Sequence, residues 1–125
     1  MRFARLTFLV AGLYGLAALL PQYFLLEKNN RDYPPPVNHP EYYYGFVGLA
    51  VAWQFVFLVI SRDPSRYRPL MVPAVLEKLA WGVPVVVLFA QGRLAAPVLL
   101  TGLIDLTLCA LFVASYFKTP RYGSA

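Results

Sequence analysis

The chain has little charge and almost none of the residues that most often carry chemistry. Only 14% of its 125 residues are charged, six of them acidic, and it has one cysteine and one histidine. A soluble domain carries about 25% charged residues, so the composition argues against both a water-soluble globule and a disordered tail. Cys109 has no partner, which excludes an intrachain disulfide, a Cys-x-x-Cys redox pair and a structural zinc site. A single histidine, His39, excludes a haem held by two histidines of one chain, so any redox role would need other subunits. There is no Gly-rich phosphate loop, no nucleophile elbow and no His-Glu-x-x-His. No cofactor is expected, and the sequence leans away from an enzyme. It has no internal repeat.

What the chain does have is apolar residues, at 59% with a mean hydropathy of +0.57. The formal net charge of +5 and pI near 9.6 would suit nucleic acid. The basic residues, however, lie in short runs between apolar stretches, where they report orientation in a bilayer, and no nucleic-acid partner is expected. Stretches 6–26 and 42–61 carry no formal charge and 94–117 carries only Asp105, each long enough to cross the hydrocarbon. Stretch 69–91 is also long enough but is interrupted by Glu77 and Lys78. The pattern predicts a single all-α domain, an integral four-helix bundle running up-down-up-down, with spans at 4–26, 42–61, 69–91 and 94–117.

Orientation follows from lysine and arginine. Arg2, Arg5, Arg62, Arg66, Arg68, Lys118 and Arg121 fall on one side, against Lys28, Arg31 and Arg93 on the other, provided that all four segments cross. Cytoplasmic ends are enriched in these residues, so both termini are expected in the cytoplasm and the protein in a bacterial inner membrane. The first apolar run exceeds the 7 to 15 residues of a signal-peptide core and is expected to stay as a helix. Residues 27–41 contain Pro34, Pro35, Pro36 and Pro40, which predict an extended loop without helix. Tyr42, Tyr43 and Tyr44 suit one interface, and Tyr67, Tyr116 and Tyr122 the other.

Lipid is as apolar as leucine, so small and polar positions should mark the faces that meet. They are Thr7, Ala11, Tyr14, Ala18 and Gln22 with Gly15, then Ala50, Gln54 and Ser61 with Gly48 and Ala52, then Gly82 and Pro84, and lastly Thr101, Asp105 and Cys109 with Gly102. Pro84 should kink the third helix near Ala80.

A carboxylate at the bilayer centre costs about 2.5 to 3.5 kcal/mol, so an acid there faces protein or water. At 1.5 Å per residue Asp105 lies about 18 Å from the cytoplasmic boundary, Tyr14 about 16 Å, and Glu77 and Lys78 about 12 and 13 Å. Side chains lean toward their helix N-terminus, and the third and fourth helices run oppositely, so Lys78 and Asp105 should diverge. Lys78 is then expected to snorkel to the boundary, with Glu77 following it or meeting Gln54. Asp105 is expected to accept a hydrogen bond from Tyr14, with Thr101 one turn away. These six residues, Asp105, Glu77, Lys78, Tyr14, Gln54 and Thr101, form the candidate intramembrane site. Arg62, Arg66 and Arg68 are candidates for lipid headgroups. His39, Glu41 and Asp32 match no metal-site spacing, and no metal is expected.

The stretches His39 to Phe46, Ser61 to Leu70, Leu76 to Leu79 and Gly102 to Leu106 resemble small four-span bacterial membrane proteins of unknown function, loosely DoxX-like. That resemblance implies the four-helix fold and transfers no catalytic residue. Small multidrug-resistance transporters share the length and span number, but they keep their essential acid in the first helix, where this chain has none. Three function classes follow. One is an accessory or scaffold subunit, bound to the bilayer and to a membrane-protein partner or a second copy through its small-residue faces. That is the leading reading; the alternative is a proton-linked carrier of a small lipophilic or cationic solute using Asp105 and Glu77, and a third, weaker class is a membrane acid-base isomerase.

Overall fold

The four expected spans are helices in the computed structural model, which describes residues 1–123. Helix α1, Arg2–Leu19, continues as a 3-10 turn, Leu20–Phe24. Helix α2 is short, Leu26–Asp32, and α3 is Pro40–Arg62. Helix α4, Met71–Ala90, follows a 3-10 turn at Arg68–Leu70, and α5 is Ala96–Lys118. With these extensions Arg2–Phe24, Pro40–Arg62, Arg68–Ala90 and Ala96–Lys118 are each 23 residues, apolar enough to span. At 1.5 Å per residue that is about 34 Å, which matches a hydrocarbon core of about 30 Å. The chain is an all-α bundle and a multi-pass membrane protein. The segment interrupted by Glu77 and Lys78 is a helix like the others and stays helical through Pro84.

One loop differs from expectation. Residues 27–41 are not wholly extended, because α2 occupies Leu26–Asp32 ahead of the prolines. No proline lies in that stretch, Glu27 favours its first turn, and Lys28 pairs with Asp32 one turn on. The connection from α4 to α5 is the tightest. Gly92 has φ +72°, its N–H donates to the Phe89 carbonyl at 2.9 Å, and the Arg93 N–H donates to the Leu88 carbonyl at 2.9 Å. These two bonds form a Schellman motif, and glycine is suited to its left-handed position.

The helices form a ring in which α1 packs mainly on α3 and α4 on α5; α1 also meets α5, while α3 and α4 touch least. Glycines make the two main contacts. A Cβ on Gly12 would come within 2.8 Å of Leu58 Cγ, and one on Gly15 would overlap the Gln54 side chain. One on Gly82 would come within 2.7 Å of Leu106 Cγ. The buried face of α1 is therefore Ala4, Phe8, Ala11, Gly12 and Gly15, which corrects the expected stripe: Tyr14 and Ala18 are exposed, Thr7 and Gln22 half-buried. Closeness of approach selects the face here, and a tyrosine is too large for it. On α3 the buried residues are Val47, Gln54, Phe57 and Ile60; Ala50 and Ser61 are half-buried and Ala52 is exposed.

Phe8, Phe57 and Phe112, from α1, α3 and α5, are fully buried and join the ring internally. Phe8 stacks on Phe112 at 4.2 Å between centroids, and Phe57 meets Phe112 edge-on at 5.0 Å. Because lipid rather than water surrounds the bundle, their worth is mostly packing. Phe112→Ala is expected to cost about 2 kcal/mol, below the 3 to 5 typical of a soluble core. Thermal unfolding in detergent measures it. Lys118 Nζ lies 4.3 Å from the Phe3 ring centroid, so both ends of the described chain sit at one end of the bundle.

Candidate functional site

The hairpin around Gly92 sets which residues of α4 face which of α5. Gly82 and Gly102 are equally far from Gly92 along the chain, and they oppose each other, a Gly82 Cβ lying 3.2 Å from the Gly102 carbonyl. The same register places Cys109 Sγ 3.9 Å from the Val75 carbonyl, and Trp81 Nε1 donates to Thr101 Oγ1 at 3.0 Å. It also brings Lys78 opposite Asp105.

Lys78 Nζ lies 3.4 Å from Asp105 Oδ1 and 3.7 Å from Glu77 Oε2. It also stands 5.1 Å from the centroid of the Phe57 ring, a cation–π distance. The three side chains are 4%, 15% and 16% exposed for Lys78, Asp105 and Glu77. This corrects two expectations: Lys78 and Asp105 do not diverge, and Lys78 does not snorkel. The boundary is about 13 Å away by helical rise, beyond a four-carbon stem, whereas Asp105 is within reach once the glycines let α4 and α5 close. A flexible lysine follows the nearest carboxylate rather than the mean lean of helical side chains.

The predicted partners of Glu77 and Asp105 are also corrected. Asp105 accepts from Lys78, and no hydrogen bond joins it to Tyr14 among the described residues. Tyr14 is 38% exposed. Gln54 is buried and donates from Nε2 to its own helix at the Ala50 carbonyl, 2.8 Å away, rather than meeting Glu77. Gln54 Oε1 and Glu77 Oε2 are both buried without a hydrogen-bond donor. Buried acceptors are normally satisfied, so these two are exceptions that call for an explanation. Thr101 is exposed; it takes the Trp81 indole and donates to the Val98 carbonyl at 2.6 Å, tying α4 to α5 outside the ionic cluster.

Where α3 and α4 pack least, a groove of about 220 Å³ opens, lined by Phe46, Ala50 and Trp53 from α3 and Glu77, Ala80 and Trp81 from α4. Phe46 and Trp81 stack across it at 5.2 Å between centroids. Sequence reading missed this groove and the central place of Lys78. The equal spacing of Gly82 and Gly102 about Gly92 was the signal that could have found the ion pair.

The peripheral candidates separate. Arg68 donates to the Tyr116 carbonyl at 3.0 Å and lies 3.8 Å over that ring. Arg66 lies 5.8 and 6.0 Å from the Tyr67 and Tyr122 ring centroids, and Arg62 is exposed. His39 Nδ1 is 3.1 Å from Glu41 Oε1, while Asp32 pairs with Lys28. No protein-family model, no curated protein and no solved structure matches the chain, so its own geometry carries the functional reading.

Proposed function

We propose that this multi-pass protein is a proton-linked carrier of a small solute, oriented with both termini in the cytoplasm of a bacterial inner membrane, with Glu77, Lys78 and Asp105 as its exchange centre. The observation that carries the reading is one ammonium shared by two carboxylates midway along the spans. With all three groups ionised, one negative charge is in excess. A proton or a cationic solute neutralises it, so binding of one displaces the other. Holding α4 to α5 does not require charge, since apolar residues of similar volume serve a buried interface as well or better. Ionisable groups inside a membrane mark ion and proton pathways. Four of the small residues that would support a scaffold are used within the chain, Gly12 and Gly15 against α3 and Gly82 and Gly102 between α4 and α5, while Ala18 and Ala52 are exposed.

The test is solute-driven collapse of a pH gradient across proteoliposomes, scored over cationic, anionic and neutral solutes. Wild type is expected to dissipate the gradient with one class. Asp105→Asn is expected to abolish this, and Thr107→Val, at an exposed site on the same helix, to leave it intact. A folded Asp105→Asn protein that works like wild type, or a wild type inert to every class, overturns the reading.

A further inference from the structure

Resting on that reading, we propose that the groove between α3 and α4 is the solute site and that its ligand is a small organic cation with apolar or aromatic substituents, admitted from the lipid side. The groove lies midway along both helices, and Phe46, Leu49 and Ala80 on it are exposed, so it faces the surrounding hydrocarbon. Its charged lining residue is Glu77, whose buried Oε2 has the Lys78 ammonium at 3.7 Å, an ion pair without a hydrogen bond. The same ammonium lies nearer Asp105, at 3.4 Å, and faces the Phe57 ring. Three aromatic residues line it, Phe46 stacked with Trp81, and Trp53, and an aromatic ring attracts a cation within about 6 Å, most strongly once it is desolvated.

Charge complementarity selects the occupant. An anion would be repelled by the one negative charge that Glu77, Lys78 and Asp105 leave in excess when all are ionised, and a neutral molecule would leave that charge unmet. A hydrated metal ion would find aromatic rings in place of the oxygen ligands it needs. An alkylammonium with an aromatic substituent supplies positive charge for the carboxylate and apolar surface for the walls. It needs no hydrogen-bond donor beyond the electrostatic contact. A volume of about 220 Å³ is of the right order for one ring with a small quaternary head. Lys78 is shared with Asp105, which it approaches more closely, so the Glu77 charge is only partly met.

Trp53 and Trp81 are the only tryptophans in the chain and both line the groove, so intrinsic fluorescence reports on it directly. Full-length protein in phosphatidylcholine nanodiscs is titrated with benzyltrimethylammonium and, separately, with neopentylbenzene, its uncharged isostere. A saturable fluorescence change with the cation and none with the isostere is expected. Glu77→Gln is expected to weaken the apparent affinity tenfold or more. Ala80→Leu, which fills the groove from an exposed position and leaves the charges in place, is expected to weaken it similarly. It decides the matter if Glu77→Gln fails to fold. A non-saturating response, an equal response to the isostere, or folded variants that bind like wild type overturn the proposal. If binding fails while the Asp105-dependent gradient collapse persists, the solute site lies elsewhere and proton exchange stands.

Discussion

Lys78→Met is expected to unfold about 3 to 5 kcal/mol more readily than wild type, the cost of breaking a buried ion pair from one side. Methionine keeps the length and most of the volume of the lysine stem, so the loss comes from charge. Without the ammonium 3.4 Å from Asp105 and 3.7 Å from Glu77, two carboxylates remain together in a place from which water and lipid headgroups are far. The triple variant Lys78→Met, Glu77→Leu, Asp105→Leu removes every charge and is expected to regain wild-type stability or exceed it, because apolar replacements of a buried ionic cluster are often neutral or stabilising. Equilibrium unfolding in mixed micelles compares the three proteins. A triple variant as unstable as the single one would make the cluster a structural element and remove the main support for proton exchange. A stable but inactive triple variant would separate folding from function.

Gly102→Leu is expected to cost about 3 kcal/mol, at the top of the range for overpacking, and to abolish gradient collapse with it. A Cβ at Gly102 stands 2.9 Å from Val85 Cβ, and Val85 is β-branched, buried and held in one rotamer by its helix. It cannot turn aside, so the helices must part, and the 3.4 Å contact of Lys78 with Asp105 lengthens as they do. The same substitution at Gly45 meets nothing within 4 Å and is expected to change stability by no more than about 0.5 kcal/mol. Val85→Ala removes the Cγ1 that would stand 2.5 Å away but keeps the Cβ at 2.9 Å, so it is expected to relieve only part of the cost of Gly102→Ala, a coupling that a double-mutant cycle reads directly. Equal losses at Gly45 and Gly102 would show that helix propensity rather than close packing sets the effect.

The residues that approach another helix most closely were the most legible. Ala11, Gly15 and Gly102 all lie on buried faces as their size demands. Polar residues were poorer guides. Thr101 was placed inward for its hydroxyl, yet that hydroxyl bonds the Val98 carbonyl of its own helix and can stay on the outside. Tyr14 was placed inward for the same reason and is exposed. Lys78 was sent to the boundary by a rule about average side-chain lean, which holds for stiff side chains and fails for a flexible one with a carboxylate in reach.

Composition and run length determined that this is a membrane protein with four helical spans, because hydrocarbon imposes a fixed thickness and demands that backbone bonds close within each helix. The run of prolines at 34–36 marked the connection ahead of α3, since a proline's backbone restriction is local. The sharing of Lys78 between Asp105 and Glu77 and the aromatic groove beside Glu77 were decided only by the tertiary structure. They depend on the rotation and separation of helices distant in sequence, and a fraction of a helical turn or an ångström of spacing reassigns each contact.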